Sequence, residues 1–329
     1  MRRRDLVLGL WWTFASSAGF AQQRPKPKRI GVLLGIANDA EGKSRVSAFV
    51  ETLRDFGWEN GKNIQLDVRF AEADVTRVKV LAAELIALEP SVLVASSAPA
   101  TSALREATKV IPIVFVQVND PIGQGLIKSL AKPGANVTGF LNYEPGIAGK
   151  WLELLKKINP GLSSVGVIIN QDTASRGSGG AIHIPLLQAA APPMNIRIVP
   201  ILSRNVADVE RGITDIAGPS SGLIVLPDVF NSVNRSGIIA SAAAHRIPAI
   251  YPYRFFVADG GLISYGIELT DLYRRAAGYV DRILRGEKPD ELPVQAPTKF
   301  QFVINLKTAK ALGIEIPATV LAQADEVIE

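Results

Sequence analysis

The sequence predicts an α/β protein of two similar doubly wound parallel-sheet lobes joined by multiple hinge crossovers. Three observations lead there. From residue 30 onward, short apolar, β-branched runs alternate with segments of helical period, the pattern of successive βαβ units. The runs also occur twice: IGVLLG at 30 matches VGVIIN at 165, IQLDVRF at 64 matches IRIVPIL at 196, VLVASS at 92 matches LIVLPD at 223, and PIVFVQV at 112 matches PAIYPY at 248. Four pairs separated by 131–136 residues imply a duplicated lobe. Finally, 329 residues suit two domains of roughly 150 residues each, enough for two buried cores.

Each element has a local reason. The apolar runs alternate little, as strands do when helices cover both faces of a parallel sheet. Helices are expected at 43–56, 74–88, 99–108, 145–158, 205–216 and 233–245; in the first, Val46, Phe49, Val50, Leu53 and Phe56 share one face. Capping residues stand where strands run into helices: Ser97-Ala98-Pro99, Asn119-Asp120-Pro121, and Asn170, Asp172 and Thr173. Ligands of open parallel sheets sit beyond the carboxyl ends of the strands, so two such lobes facing each other enclose a cleft lined by helix N-termini. VTGFLNYEP (137–145), GGLISYGIEL (260–269) and PVQAPTKFQFVINL (293–306) read as crossovers, with a helix at 271–284 after the second. This divides the chain into a first lobe of 30–139 plus 265–292 and a second of 140–264 plus 293–329, able to close about their hinges.

The N-terminus reads as an export signal over residues 1–21. Arg2, Arg3 and Arg4 precede an apolar stretch from Leu6 to Phe14, and Gly19 and Ala21 stand at −3 and −1 before Gln22. Arg3-Arg4 also fits a twin-arginine leader, so export by the general or the twin-arginine route to a bacterial periplasm is expected. Residues 22–29 (QQRPKPKR), basic, with two prolines and nothing to bury, are expected to form a short flexible tether. With no cysteine, disulfides and a lipid-bearing N-terminal cysteine are excluded. About +3 of the net +5 remains after the leader, too little for a nucleic-acid surface.

Catalytic motifs are scarce. Gly42-Lys43-Ser44 suggests a phosphate loop, but the first glycine of that motif falls at Ala37, and Asp39 and Glu41 would confront the phosphates. Gly218-Pro219-Ser220-Ser221-Gly222 fits the nucleophile-elbow spacing in reverse order, with a helix before it and a strand after. His183 and His245 are the only histidines, so no zinc ligand set exists, and His245 suits a helix C-terminus. Gly177-Ser178-Gly179-Gly180 reads as a loop, and Asp120, Asp172, Asp228 and Glu268 read as caps unless paired in space.

Several stretches carry a resemblance. GWENGKNIQLDVRFAEAD (57–74), IPIVFVQVNDPIGQGLIKSLAKPGANVTGF (111–140), GLIVLPD (222–228), IPAIYPYRFFVADGGLISYGIEL (247–269) and PVQAPTKFQFVINLKTAKALGIEIP onward resemble the solute-binding components of ABC transporters, in the branch named for tryptophan/tyrosine uptake. The resemblance implies a type I periplasmic-binding fold, a small-molecule solute, a membrane permease as partner, a monomer, and no enzymatic activity, cofactor or metal. The expected solute is an amino acid or aromatic acid. Its carboxylate would meet helix starts at Ser97-Ala98 and Asp172-Thr173, an ammonium would pair with Asp120 or Asp228, and Tyr143, Tyr253 and Tyr265 would stack on an aromatic body. Ile36, Ala37, Asn119, Asn142 and Asn170, at the same strand ends, complete the expected binding set. A ligand sensor that docks on a receptor and a hydrolase using the same cleft are the alternatives.

Overall fold

A computed structural model describes residues 26–142, 144–172 and 182–329. The segment read as an export signal, and the Gly177–Gly180 loop, lie outside them. Five parallel strands form the first sheet: β1 (Lys28–Leu34), β2 (Ile64–Phe70), β3 (Val92–Ser96), β4 (Ile113–Val118) and β5 (Val137–Leu141), ordered β2-β1-β3-β4-β5. The second sheet repeats that order as β7-β6-β8-β9-β10, with β6 (Ser164–Asn170), β7 (Arg197–Ser203), β8 (Ser221–Val225), β9 (Ala249–Tyr251) and β10 (Ile263–Ile267). It then extends through β11 (Phe300–Asn305), antiparallel to β10, and β12 (Glu326–Ile328), parallel to β11.

The four repeated runs are thus β1/β6, β2/β7, β3/β8 and β4/β9, and β5/β10 is a fifth pair within segments expected to be crossovers. Glycine conceals both strands. A Cβ on Gly139 would lie 2.1 Å from the Phe115 carbonyl oxygen, and one on Gly266 would lie 1.8 Å from that of Pro252, so each strand gives up an apolar side chain where neighbouring backbone approaches.

Helices α1 (Ala40–Asp55), α2 (Val75–Ala87) and α3 (Ala98–Ala107) follow the first three strands. In the second half come α4 (Ile147–Ile158), α5 (His183–Ala190), α6 (Val206–Ile216), α7 (Val229–Val233), α8 (Arg235–Ala244) and α9 (Arg254–Ala258). The helix expected at 233–245 is α8, and a separate short helix, α7, precedes it and ends at Val233. After β10 the chain returns as α10 (Leu269–Leu284), which packs on α1 and on β3, β4 and β5. Its Leu269, Leu272, Tyr273, Ala276 and Val280 recur every three or four residues and are buried. The chain passes to the second sheet again between Leu292, whose carbonyl accepts from Thr138 Oγ1, and Phe300, and ends in α11 (Leu306–Leu312), α12 (Ala318–Leu321) and β12. Among the described residues, no helix is long and apolar enough to cross a membrane.

Capping residues set the helix starts. Asp39 accepts from Gly42 N (2.9 Å), Asp74 from Thr76 N (2.8 Å), and Asn205 from Asp208 N (3.0 Å), each occupying one of the donors a helix leaves unpaired. This also settles the phosphate-loop question. Gly42-Lys43-Ser44 is the first turn of α1, its amide is already capped by a carboxylate, and a Cβ on Gly42 would lie 2.4 Å from the Ala37 carbonyl oxygen, so the glycine serves loop packing. One continuous apolar cluster runs through both halves, from Ile30, Val94 and Val116 to Phe230, Phe255 and Tyr273.

Candidate functional site: a cleft at the strand ends

The cleft opens beyond the carboxyl ends of both sheets, where this strand order places ligands. From the first half come Ile36 after β1, Ser96 to Pro99 at the β3–α3 junction, Gln117 and Asn119 at the end of β4, and Asn142 after β5. The second half supplies Pro227, Asp228, Val229 and Ser232 at the β8–α7 junction, and Tyr253 ahead of α9. The space is about 430 Å³, counting its open mouth.

One wall is a helix N-terminus. Ser97 adopts φ +104°, a region side chains disfavour, and is held there by its N–H to Val116 O (3.0 Å) and by Thr101 Oγ1 donating to its carbonyl (2.7 Å). Ser97 Oγ accepts from Ala100 N (3.4 Å). Pro99 has no N–H, which leaves the Ala98 amide as the uncapped donor of the first turn, at the positive end of α3.

Acceptors make up the opposite character. Asp228 uses Oδ1 to cap Phe230 N (2.8 Å) and borders the cleft with its carboxylate. The side-chain oxygens of Asn119 and Asn142 are buried without a hydrogen-bond partner, a condition that penalises the empty site and favours a donor that fills it. Asn142 is held by its Nδ2 donating to the Tyr253 hydroxyl (2.7 Å).

Beneath lies a network joining both halves. Gln117, at φ +62°, directs Oε1 to Arg45 Nη1 (3.0 Å), Ser96 Oγ (3.2 Å) and the Tyr273 hydroxyl (3.3 Å), and its Nε2 reaches the Tyr253 hydroxyl (3.4 Å). Burial pushes the Tyr253 phenol up to about 12, against the smaller opposing effects of the Asn142 hydrogen bond and the Arg45 charge. It therefore acts as a neutral hydroxyl.

Of the residues expected from sequence, Ile36, Ser97, Ala98, Asn119, Asn142, Asp228 and Tyr253 meet around this cleft. Ala37 sits one step outward, on a smaller chamber that shares Ile36 and Ser232. The others have different places. Asp120 turns onto its own loop and accepts from Gly123 N (2.8 Å). Asn170 is buried at the end of β6, accepting from the amide of exposed Asp172 (3.1 Å), and neither lines the cleft. Tyr265 stacks on Phe300 with centroids 6.1 Å apart, packing within the second sheet. Tyr143 and Thr173 lie outside the described residues. Ser96, Pro99, Gln117, Pro227, Val229 and Ser232 went unforeseen. Gln117 left a signal as the one polar residue in PIVFVQV, and Ser232 stands one helical turn beyond Asp228. Among the described residues no three His, Cys, Asp or Glu side chains gather where they could hold a metal ion. Ser221 sits at the α6–β8 turn, a helix-to-strand junction, and His245 ends α8 with Nδ1 3.0 Å from Ser241 O.

Two α/β halves with the same strand order, meeting over a polar cleft at their strand ends, define a two-lobed solute-binding protein. The chain belongs to the ABC transporter substrate binding protein family, whose model matches residues 29–328, and is the solute-binding component of such a transporter. It is 29% identical over 303 residues to a tyrosine-binding protein of Clostridioides difficile (strain R20291), covering 92% of this chain and 85% of that one. It is also similar to an ABC domain of Streptococcus pneumonia in complex with L-Trp, with a TM-score of 0.84, 25% identity, and coverage of 92% of this chain and 100% of that one. Against the ligand-free, open structure of a substrate binding protein with adhesive properties from Clostridium difficile, the TM-score is 0.68 at 26% identity, covering 92% and 99% of the two chains.

Proposed function

We propose that the cleft takes a free α-amino acid with an aromatic or apolar side chain and delivers it to a membrane permease. The observation that carries this reading is the pairing of a helix N-terminus at Ser97-Ala98 with the Asp228 carboxylate and the unpartnered oxygens of Asn119 and Asn142. The first suits a carboxylate. The second suits an ammonium, which brings three donors and a positive charge. Ile36, Val229 and Tyr253 offer apolar and aromatic surface for the remainder. The substrates named for the C. difficile and S. pneumonia relatives, tyrosine and tryptophan, agree with this chemistry.

On this reading the protein works as a periplasmic monomer without catalysis: apart from the Tyr253 phenol, Asp228 is the one titratable side chain among the described residues lining the cleft. The two lobes part within the crossovers, later than the expected bounds at 139 and 264 because β5 (Val137–Leu141) stays whole in the first sheet and β10 (Ile263–Ile267) whole in the second, so β1–β5 with α10 close on β6–β12. Calorimetric titration with the common amino acids tests the proposal. A ligand at 100 times its Kd stabilises the fold by about 2.7 kcal/mol, so a thermal-shift screen gives a parallel readout. Binding of aromatic amino acids but not of their N-acetyl or amide derivatives is expected; no response to any amino acid would refute the reading.

A further inference from the structure

Arg45 is 1% exposed, an expensive place for a charge unless its donors are used. Two edges of its guanidinium are tied down. Nε meets Glu41 Oε1 at 3.1 Å, and Nη1 donates to Gln117 Oε1 at 3.0 Å. The plane lies over the Phe255 ring, 5.6 Å from its centroid. Nη2, the third edge, is buried and has no hydrogen-bond partner. Arg45 borders the smaller chamber, which shares Ile36 and Ser232 with the main cleft.

We propose that Arg45 is a specificity-determining residue whose Nη2 donates to a neutral hydroxyl at the far end of the ligand's side chain, selecting a phenol over the corresponding unsubstituted ring. This rests on the amino-acid reading of the cleft. The charge of the chamber narrows the chemistry. Asp39 and Glu41 border it, each paired with an arginine, Arg235 and Arg45 respectively, so the lining carries no net charge and suits a neutral polar group better than a second carboxylate. A hydroxyl both accepts from Nη2 and directs its own proton toward a carboxylate. A site built to hydrogen-bond a hydroxyl rejects the analogue that lacks it, because its own donor is then left unpaired in a dry place.

Calorimetry on the wild-type protein with tyrosine, phenylalanine and 4-fluorophenylalanine tests this without any substitution. Tyrosine is expected to bind at least about tenfold more tightly than the other two; the fluorine fills the space but accepts poorly. Arg45→Met is expected to bring the tyrosine-to-phenylalanine ratio close to one. Equal affinities in the wild type, or a ratio that survives Arg45→Met, would overturn the assignment of Arg45 while leaving the amino-acid site standing. Binding of none of the three would overturn both.

Discussion

Arg235 Nη2 lies 3.0 Å from Asp39 Oδ2, joining the start of α8 in the second half to the cap of α1 in the first. Its Nε is held by Asp259 at 2.6 Å, and its guanidinium covers the Phe255 ring at 5.3 Å, on which Arg45 of the first half also rests. Phe255 is thus flanked by cations from both halves. A partly exposed ion pair contributes up to about 1 kcal/mol, so it tunes the balance between open and closed forms without dominating it. Arg235→Gln is expected to weaken ligand binding up to about fivefold and to enlarge the radius of gyration of the unliganded protein in small-angle scattering. An unchanged radius and affinity would show that closure does not depend on this contact.

The same pair predicts a pH response. Burial works against the charge on Asp39, but the Gly42 N–H and the Arg235 hydrogen bond and charge outweigh it, holding the carboxyl below its ordinary value. The part of this depression that comes from Arg235, across the two halves, favours closure above the carboxyl's ordinary value and is lost as pH falls through the depressed one, whereas the Gly42 bond lies within one half and persists on opening. Affinity is therefore expected to be level from about pH 5 upward and to decline below about pH 4. Titrations of Asp39→Asn across that range should lack this part of the decline.

Gly35 sits at the seam between the halves. A Cβ there would lie 2.5 Å from Ser97 Oγ, 3.1 Å from Val229 Cγ1 and 3.2 Å from the Ser96 carbonyl oxygen. Val229 belongs to the opposite half, and Ser97 cannot turn away without releasing its cap on Ala100. Gly35→Ala should prop the cleft open. Overpacking of this kind costs about 1–3 kcal/mol, which calorimetry would read as a loss of affinity on the order of tenfold or more.

Asp228→Asn keeps an acceptor for Phe230 N, so α7 retains its cap, while the negative charge is lost. Hydrogen bonds to charged groups contribute about 1.5–3 kcal/mol, so amino-acid binding should fall about ten- to a hundredfold. Ligands lacking the amine should lose far less. Equal losses for both would place the ammonium elsewhere.

Tyr265 should matter for stability alone. It stacks on Phe300, and its carbonyl accepts from the Trp151 indole (2.7 Å). Tyr265→Phe is expected to leave Kd unaltered, whereas Tyr265→Ala should lower the unfolding free energy by about 2 kcal/mol in a denaturant titration, with ligand affinity again preserved.

By itself the sequence determined the two sheets, the repetition of β1 to β4 in β6 to β9, and the capped strand-to-helix junctions at Ser97 and Asp228. Apolar runs, helical period and capping chemistry are local properties that a linear chain displays. It did not distinguish Asp120 from Asp228, since both follow a strand as caps and only the folded backbone turns one onto Gly123 and the other onto the cleft. Nor did it separate Tyr253 from Tyr265, one at a strand's end and the other inside a sheet. The network of Arg45, Ser96, Gln117, Tyr253 and Tyr273 was decided by tertiary structure alone. Its members come from five separate stretches of chain, and a hydrogen bond of about 3 Å depends on where the two halves meet, which no local pattern encodes.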